Sequence, residues 1–179
     1  GIADPDDVEA ALKFLKSNFP DYNSWGFHAH NDLGLAVANT WKFVQLINEY
    51  DMGVPLVQLT MTGLGERGGN CPLAPLLVLF GKKGLKTGID HSNMHENSKK
   101  EAKLLGVRMP KTAQIIGEYA GVHTGGQHVD SVSKGVPYLG YGIREFGGKE
   151  TIDYSENSGT AAAVVMAKEF GYEPEGKND

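Results

Sequence analysis

Two histidines separated by one residue are the first side chains in the chain that could do chemistry together. His28 and His30 end a short segment, residues 25–30, with the composition of a strand. Side chains two apart on a strand point to the same face, and two imidazoles on one face suit zinc, manganese or iron. The spacing leaves open a second interpretation, two partly buried histidines hydrogen-bonded to loops. Asn31 and Asp32 follow directly and favour the metal site.

A glycine-rich loop follows the next apolar segment. Residues 63–70 read GLGERGGN, with four glycines in eight positions. Glycines allow positive φ angles and let the backbone approach a ligand closely. The loop matches neither the phosphate-binding P-loop nor the dinucleotide fingerprint. The alternative is a plain strand-to-helix turn in which Glu66 and Arg67 form a surface ion pair.

The elements that must position these residues alternate between helix and strand. Asp4 suits an N-cap and Pro5 a first helical position, and the apolar spacing after them is helical. A strand at 25–30, a helix at 33–50, a strand at 55–62 and a helix from Pro72 follow. This order is typical of a parallel α/β protein, in which ligands bind at the carboxyl ends of the strands. Because the strands are mostly apolar, we expect both faces to be covered.

The character of the chain changes after Gly84, and we place a domain boundary near Gly84–Gly88. Residues 90–120 are predicted to be helical and polar, with His91 and His95 solvated. A glycine-rich segment spans 121–148, and a final helix is predicted from Ser158 to Phe170. Two strands cannot close a barrel, so the chain is expected to be a fragment of a longer protein.

Four segments resemble one enzyme superfamily. FHAHNDLGLAVANT (27–40) followed by TGLGERGGN (62–70) is similar to the paired motifs of the DRE-TIM metallolyases. HTGGQHVDSV (123–132) and NSGTAAAVVMAKEFGY (157–172) resemble the helical subdomain of the condensing branch. That branch contains the 2-isopropylmalate, homocitrate, citramalate and Re-type citrate synthases. The resemblance implies an α/β fold, with the C-terminal part of a TIM (β/α)₈ barrel at 1–86. A small, mainly helical subdomain at 87–179 would reach the active site.

The resemblance also implies roles for individual residues. The ligands of a divalent metal ion (zinc, manganese or magnesium) would be His28, His30 and Asn70. The substrate-binding residues would be Glu66, Asn70 and His123. The catalytic residues would be His128, Asp130 and Tyr138, with Tyr141 competing for the place of Tyr138.

The implied reaction is a metal-dependent Claisen-type condensation of acetyl-CoA with a 2-oxo acid, which releases CoA. The family forms homodimers in which the subdomain reaches over the partner's barrel. The family's Asp-Arg-Glu motif is absent from this chain, so the chain alone is expected to be catalytically incomplete. Alternatives are a carbon–carbon lyase or carboxyltransferase on the same barrel, or a non-catalytic metal-binding fragment. A long 41–59 segment and no regulatory domain after Asp179 favour the homocitrate or Re-citrate types.

Composition and charge argue against nucleic acid and membranes as partners. The net charge is −5 and the pI about 5.7, and no Lys/Arg cluster indicates nucleic acid as a partner. No apolar run reaches the ~20 residues of a membrane helix, so we expect no membrane span and a cytoplasmic location. The single Cys71 cannot form an internal disulfide. Lys99, Lys100 and Lys103 are expected on an exposed helix face.

Overall fold

The chain divides into two compact units, Gly1–Ile89 and Asp90–Asp179. The structure is a computed structural model that describes residues 1–136, 138–153 and 160–173. The side chains of five helix residues are not described: Gln127, Asp130, Ser133, Ala161 and Glu169. The division between the units falls directly after the Gly84–Gly88 stretch.

The first unit alternates helix and strand, as the sequence predicts. Its elements are α1 (Pro5–Asn18), β1 (Ser24–His28), α2 (Ala36–Glu49), β2 (Val54–Gln58) and α3 (Leu73–Lys82). The two strands pair in parallel, with His28 opposite Gln58. Their carboxyl ends therefore meet at one edge of the sheet, where the paired histidines and the glycine-rich loop begin.

The start of α1 follows the predicted capping chemistry. The Asp4 carboxylate accepts the backbone N–H groups of Asp6 and Asp7, and the Asp7 carboxylate accepts the N–H of Asp4. These bonds satisfy backbone donors that have no partner within the helix. Further along α1, Glu9 forms ion pairs with Lys13 and with Lys42 of α2, and these hold the pKa of Glu9 at about 2.

The hydrophobic core of this unit lies on one face of the sheet. Phe43 and Ile47 of α2 and Leu76 of α3 are buried there, and the Phe27 ring stacks on Phe43 at 5.0 Å between centroids. Burial of these large side chains is the main favourable contribution to folding in this unit.

The opposite face of the sheet is open, so the expectation that both faces are covered is wrong for the described residues. Val54 is 82% and Leu56 63% exposed, and burial alternates along both strands. The physical reason is that α1, α2 and α3 all pack on the same face of the sheet, where their buried residues form the core. Such alternation is normally found in a sheet with one solvated face, whereas here the open face carries apolar side chains.

A cavity of about 270 Å³ lies beside β1. Apolar residues of α1 line it, among them Val8, Leu12 and Leu15, and it extends along β1 to His28 and His30. The described part of the sheet has two strands, so β1 has no strand partner on its outer edge there. This edge therefore offers backbone groups and an apolar groove at the same place.

The second unit is built from short elements. They are α4 (Met94–Leu104), β3 (Val122–His123), α5 (Gly126–Ser133), a 3₁₀ helix (Ile143–Phe146), β4 (Thr151–Ile152) and α6 (Thr160–Glu169). β3 and β4 pair in parallel, and Ile116, Val129, Ile143 and Phe146 are buried.

The helices of the second unit differ from the sequence predictions. The prediction of helix through 90–120 is wrong beyond Leu104, because Gly106 takes a left-handed φ of 65° and turns follow. The predicted start of the last helix at Ser158 lies outside the described residues, and the described helix ends at Glu169.

Among the described residues, no helix has the length and apolar character that a bilayer crossing requires.

Candidate functional site

The predicted metal ligands lie together at the carboxyl end of β1. The rings of His28 and His30 meet edge to face, with centroids 4.9 Å apart. His30 forms an antiparallel bridge with Asn70, flanked by bonds from Asn31 N to Gly69 O (2.8 Å) and from Cys71 N to Ala29 O (3.0 Å). His30 and Asn70 thus form a non-hydrogen-bonded antiparallel pair, in which the opposed Cα atoms are about 4.5 Å apart and the side chains are close. The glycine-rich loop thereby brings Asn70 to the histidines.

Two buried atoms at this bridge lack a hydrogen-bond partner among the described residues. They are Nδ1 of His30 and Oδ1 of Asn70. The Asn70 amide nitrogen donates to the Leu64 carbonyl at 3.4 Å, which turns the amide oxygen away from that carbonyl. Buried polar atoms are normally satisfied, so two unsatisfied atoms on neighbouring residues need an explanation.

A divalent cation would satisfy both atoms, because an unprotonated imidazole nitrogen and an amide oxygen are metal donors. His28, exposed on the open face of the sheet, could supply a third donor. The described residues hold no group of three or more His, Cys, Asp and Glu side chains able to bind a metal. The donors present therefore fit one part of a metal site.

Asp32 fastens the glycine-rich loop to the segment after β1. Its carboxylate accepts the Gly68 N–H at 3.1 Å and the Arg67 Nε–H at 3.3 Å. The Gly68 bond, followed by Arg67, lowers the pKa of Asp32 below its usual value. A Cβ at Gly68 would lie 2.7 Å from the Asp32 Cα, so only glycine permits this approach. The sequence marked Asp32 by its position after the histidines but did not indicate this contact.

Glu66, a predicted substrate-binding residue, lies at the exposed tip of the same loop. Its carboxylate pairs with the Arg67 guanidinium at 3.3 Å and is 81% exposed. The surface ion pair that the sequence offered as the alternative for this loop is therefore present. Arg67 also adopts a left-handed φ of 55°, so the loop is held in a specific conformation.

The second unit brings the other predicted residues into a cluster of three rings. His128 on α5 stacks on Tyr138 at 3.9 Å between centroids, and both side chains are exposed. His123 is 3% exposed, and its ring meets each of the other two edge to face, with centroids 6.0 Å apart. Its Nε2 is 2.9 Å from Oε1 of Glu150.

Tyr141, the alternative to Tyr138, lies outside the cluster of three rings. The Tyr141 hydroxyl donates to the Ala120 carbonyl at 3.1 Å, and burial raises the pKa of Tyr141. That hydroxyl is engaged with the backbone, whereas Tyr138 is the tyrosine that stacks on His128. The side chain of Asp130 lies outside the described part of the structure. Glu150 is a residue that sequence reasoning missed, since it is 27 positions from His123 and carries no motif.

The interpretation of His95 as solvated is wrong. Its Nε2 lies 2.6 Å from the Ile115 carbonyl, which only accepts, so this nitrogen carries the donated proton. Burial lowers the pKa of His95. His91 packs its ring against Phe146 at 4.5 Å. The three lysines of α4 are exposed, as predicted, and Lys100 pairs with Glu96 at 2.6 Å.

Comparison with known proteins agrees with the motifs. The sequence profile of the HMGL-like family matches residues 1–100. The chain belongs to the HMGL-like family. A probable 2-isopropylmalate synthase of Archaeoglobus fulgidus is 36% identical over 149 residues, which cover 81% of this chain and 28% of that protein. The 2-isopropylmalate synthase of Pyrococcus furiosus is 33% identical over 177 residues, covering 96% of this chain and 32% of that protein.

These relatives confirm the predicted relationship to the condensing branch of the superfamily. This HMGL-like chain spans about three tenths of the length of the curated relatives it matches. A solved HMG-CoA lyase of Acinetobacter baumannii, in complex with coenzyme A and 3-methylmalate, is 25% identical, with a TM-score of 0.49. The structural alignment covers 62% of this chain and 36% of the lyase chain.

Proposed function

We propose that this chain is part of an enzyme that condenses acetyl-CoA with a 2-oxo acid and releases CoA. Residues 1–86 would be the C-terminal part of its barrel, and residues 87–179 its helical subdomain. The observation that carries the proposal is the pair of buried atoms at the His30–Asn70 bridge, Nδ1 and Oδ1, that have no hydrogen-bond partner among the described residues. Its support is the match of the chain to 2-isopropylmalate synthases.

His28, His30 and Asn70 would hold a divalent cation, either zinc, manganese or magnesium. Such an ion, when bound, supplies Lewis-acid polarisation of a carbonyl oxygen. The contribution of the chain is to fix the donors. His28 ends β1, His30 lies two residues further on in an antiparallel bridge with Asn70, and the Asp32 carboxylate binds the backbone of the loop. The remaining donors would come from barrel strands outside this chain, where the family has its Asp-Arg-Glu motif.

His128, Tyr138 and Asp130 would handle the protons of the condensation. A proton leaves the methyl carbon of acetyl-CoA, that carbon forms a bond to the ketone carbon, and the ketone oxygen takes up a proton. Water then cleaves the thioester to give a carboxylic acid and free CoA. His128 has the chemistry for such transfer, and it lies exposed where a substrate can reach it. The stacked Tyr138 places a hydroxyl-bearing ring against it.

The proposed assembly is a homodimer in which the helical subdomain of one subunit completes the site of the other. Acetyl-CoA and a 2-oxo acid would be the substrates. The names of the relatives favour a branched-chain 2-oxo acid, whereas the long 41–59 segment favours the homocitrate or Re-citrate types.

The test is a CoA-release assay on the full-length protein. Acetyl-CoA is supplied with a branched-chain 2-oxo acid, pyruvate, 2-oxoglutarate or oxaloacetate, and free thiol is measured after each. We expect release that requires both one of these acids and a divalent metal ion. Thiol release that ignores the 2-oxo acid, or cleavage of a 3-hydroxyacyl-CoA without any condensation, would contradict the proposal and favour a thioesterase or the lyase alternative.

A further inference from the structure

The second unit contains a contact between a buried histidine and a carboxylate whose role the proposed mechanism does not explain. His123 is 3% exposed, and Nε2 of its ring lies 2.9 Å from a Glu150 carboxylate oxygen. An ionised carboxylate only accepts hydrogen bonds, so the bonded nitrogen must carry the proton. Glu150 therefore fixes the tautomer of His123 and the direction in which its ring plane points.

The backbone around this contact is built to hold it. β3 and β4 pair in parallel, with bonds from Thr151 N to Gly121 O (2.8 Å) and from Asp153 N to His123 O (3.0 Å). A Cβ at Gly121 would lie 2.1 Å from the Lys149 carbonyl oxygen, so this close approach depends on glycine. Glu150 immediately precedes β4 and is carried by this pairing to His123.

The fixed ring of His123 in turn contacts both exposed rings. Its plane is inclined by 71° to His128 and by 78° to Tyr138, with both centroids at 6.0 Å. Edge-to-face contact of this kind is favourable and directional. His128 and Tyr138 are themselves exposed, so His123 is the buried ring against which the stacked pair rests.

We propose that Glu150 and His123 are positioning residues that orient the stacked His128–Tyr138 pair for proton transfer. Burial of His123 does not favour the substrate contact implied by resemblance. The kinetic consequence rests on the proposed function, whereas the coupling between the rings does not. Removing a residue that orients a functional side chain by a hydrogen bond typically changes activity by about 10- to 100-fold.

The first test is spectroscopic and needs no activity. Full-length protein is labelled with ¹⁵N in its histidines, and wild type is compared with Glu150→Gln and with the control Glu118→Gln. Glu118 forms a surface ion pair with Lys111 in the same unit. In Glu150→Gln the proton of His123 is no longer fixed on Nε2, so we expect the ¹⁵N signals of His123 to change. We expect the ring signals of His128 to shift as well. A change confined to His123, or a His128 shift equally present in the control, would overturn the proposal.

The second test is kinetic. Glu150→Gln should lower kcat by about 10-fold with KM for the 2-oxo acid unchanged. In a His128→Ala background the same substitution should cause no further loss, because it acts through His128. Losses that multiply would overturn the positioning role. If wild type releases no CoA, the proposed function fails, and the ring signals alone decide whether Glu150 orients His128.

Discussion

At the residue scale, the strongest functional indication is a pair of atoms rather than a pair of residues. Two histidines two apart are common, and spacing alone left their role open. Nδ1 of His30 and Oδ1 of Asn70, buried side by side without partners among the described residues, need a cation or a donor. The cost of an unsatisfied buried polar group is about 1–3 kcal/mol, so a bound cation would remove two such penalties.

A prediction at the residue scale concerns proton transfer. His128→Ala in the full-length enzyme should leave metal content and 2-oxo-acid binding nearly unchanged. The rate of CoA release should fall on the order of 10²-fold or more, because a general acid/base is lost. The matched control is Lys103→Ala, an exposed residue of α4 in the same unit. A His128→Ala enzyme with the wild-type rate would show that another group moves the proton.

At the element scale, the contact between two loops decides whether the donors stay together. Asp32 bonds to Gly68 and Arg67, which lie 36 and 35 positions further along the chain. The loop contacts the segment after β1 through this carboxylate and through the bridge at Asn70, and both contacts fix the positions of the donors. A loop held in this way is pre-organised for a ligand.

Asp32→Ala should therefore weaken metal binding without removing a ligand. We expect the affinity of the full-length protein for its divalent ion to fall by about 10-fold, because the loop that carries Asn70 loses a contact that positions it. The measurement is a competition titration against a metal chelator. Asp21→Ala, an exposed aspartate before β1, serves as the control. Equal affinities for Asp32→Ala and the control would mean that the loop keeps its place without this contact.

The sequence predicted those elements whose signals are local. Asp4 and Pro5 marked the start of α1, and the alternation of helix and strand placed His28 and Asn70 at the same edge of the sheet. It could not predict the Glu150–His123 contact, because β3 and β4 are two residues each and have no periodic pattern. The burial of His95 was missed because its partner, the Ile115 carbonyl, is 20 positions away and no local pattern indicates the contact.

At the scale of the whole molecule, the open face of the first unit indicates an incomplete fold. Val54 and Leu56 point outward on a two-stranded sheet, and the outer edge of β1 faces an apolar cavity. A (β/α)₈ barrel has eight strands in about 250 residues, and its interior is packed with such side chains. Relatives about three times as long have room for the remaining strands.

Residues 1–179 expressed alone should therefore aggregate or remain molten, with the second unit keeping some local structure. The measurement is a thermal melt with size-exclusion chromatography. A soluble monomer with one sharp transition would contradict the assignment of the chain to part of a barrel.

A matched variant separates exposed apolar surface from general instability. Val54→Lys/Leu56→Lys should improve the solubility of the isolated chain, because both positions are exposed there. The same substitutions should disrupt the full-length protein, where the charges would be buried in the barrel. Tolerance of both lysines in the full-length protein would show that this face stays in solvent.

The metal content of the full-length protein tests the central claim most directly. Wild type, the double variant His28→Ala/His30→Ala and the control His91→Gln are dialysed together against buffer containing trace divalent metals, and bound metal is measured by elemental analysis. We predict that wild type and the control retain a stoichiometric divalent ion and release CoA, and that the double variant loses both. A double variant with full metal content and turnover would place the metal site elsewhere and contradict the account.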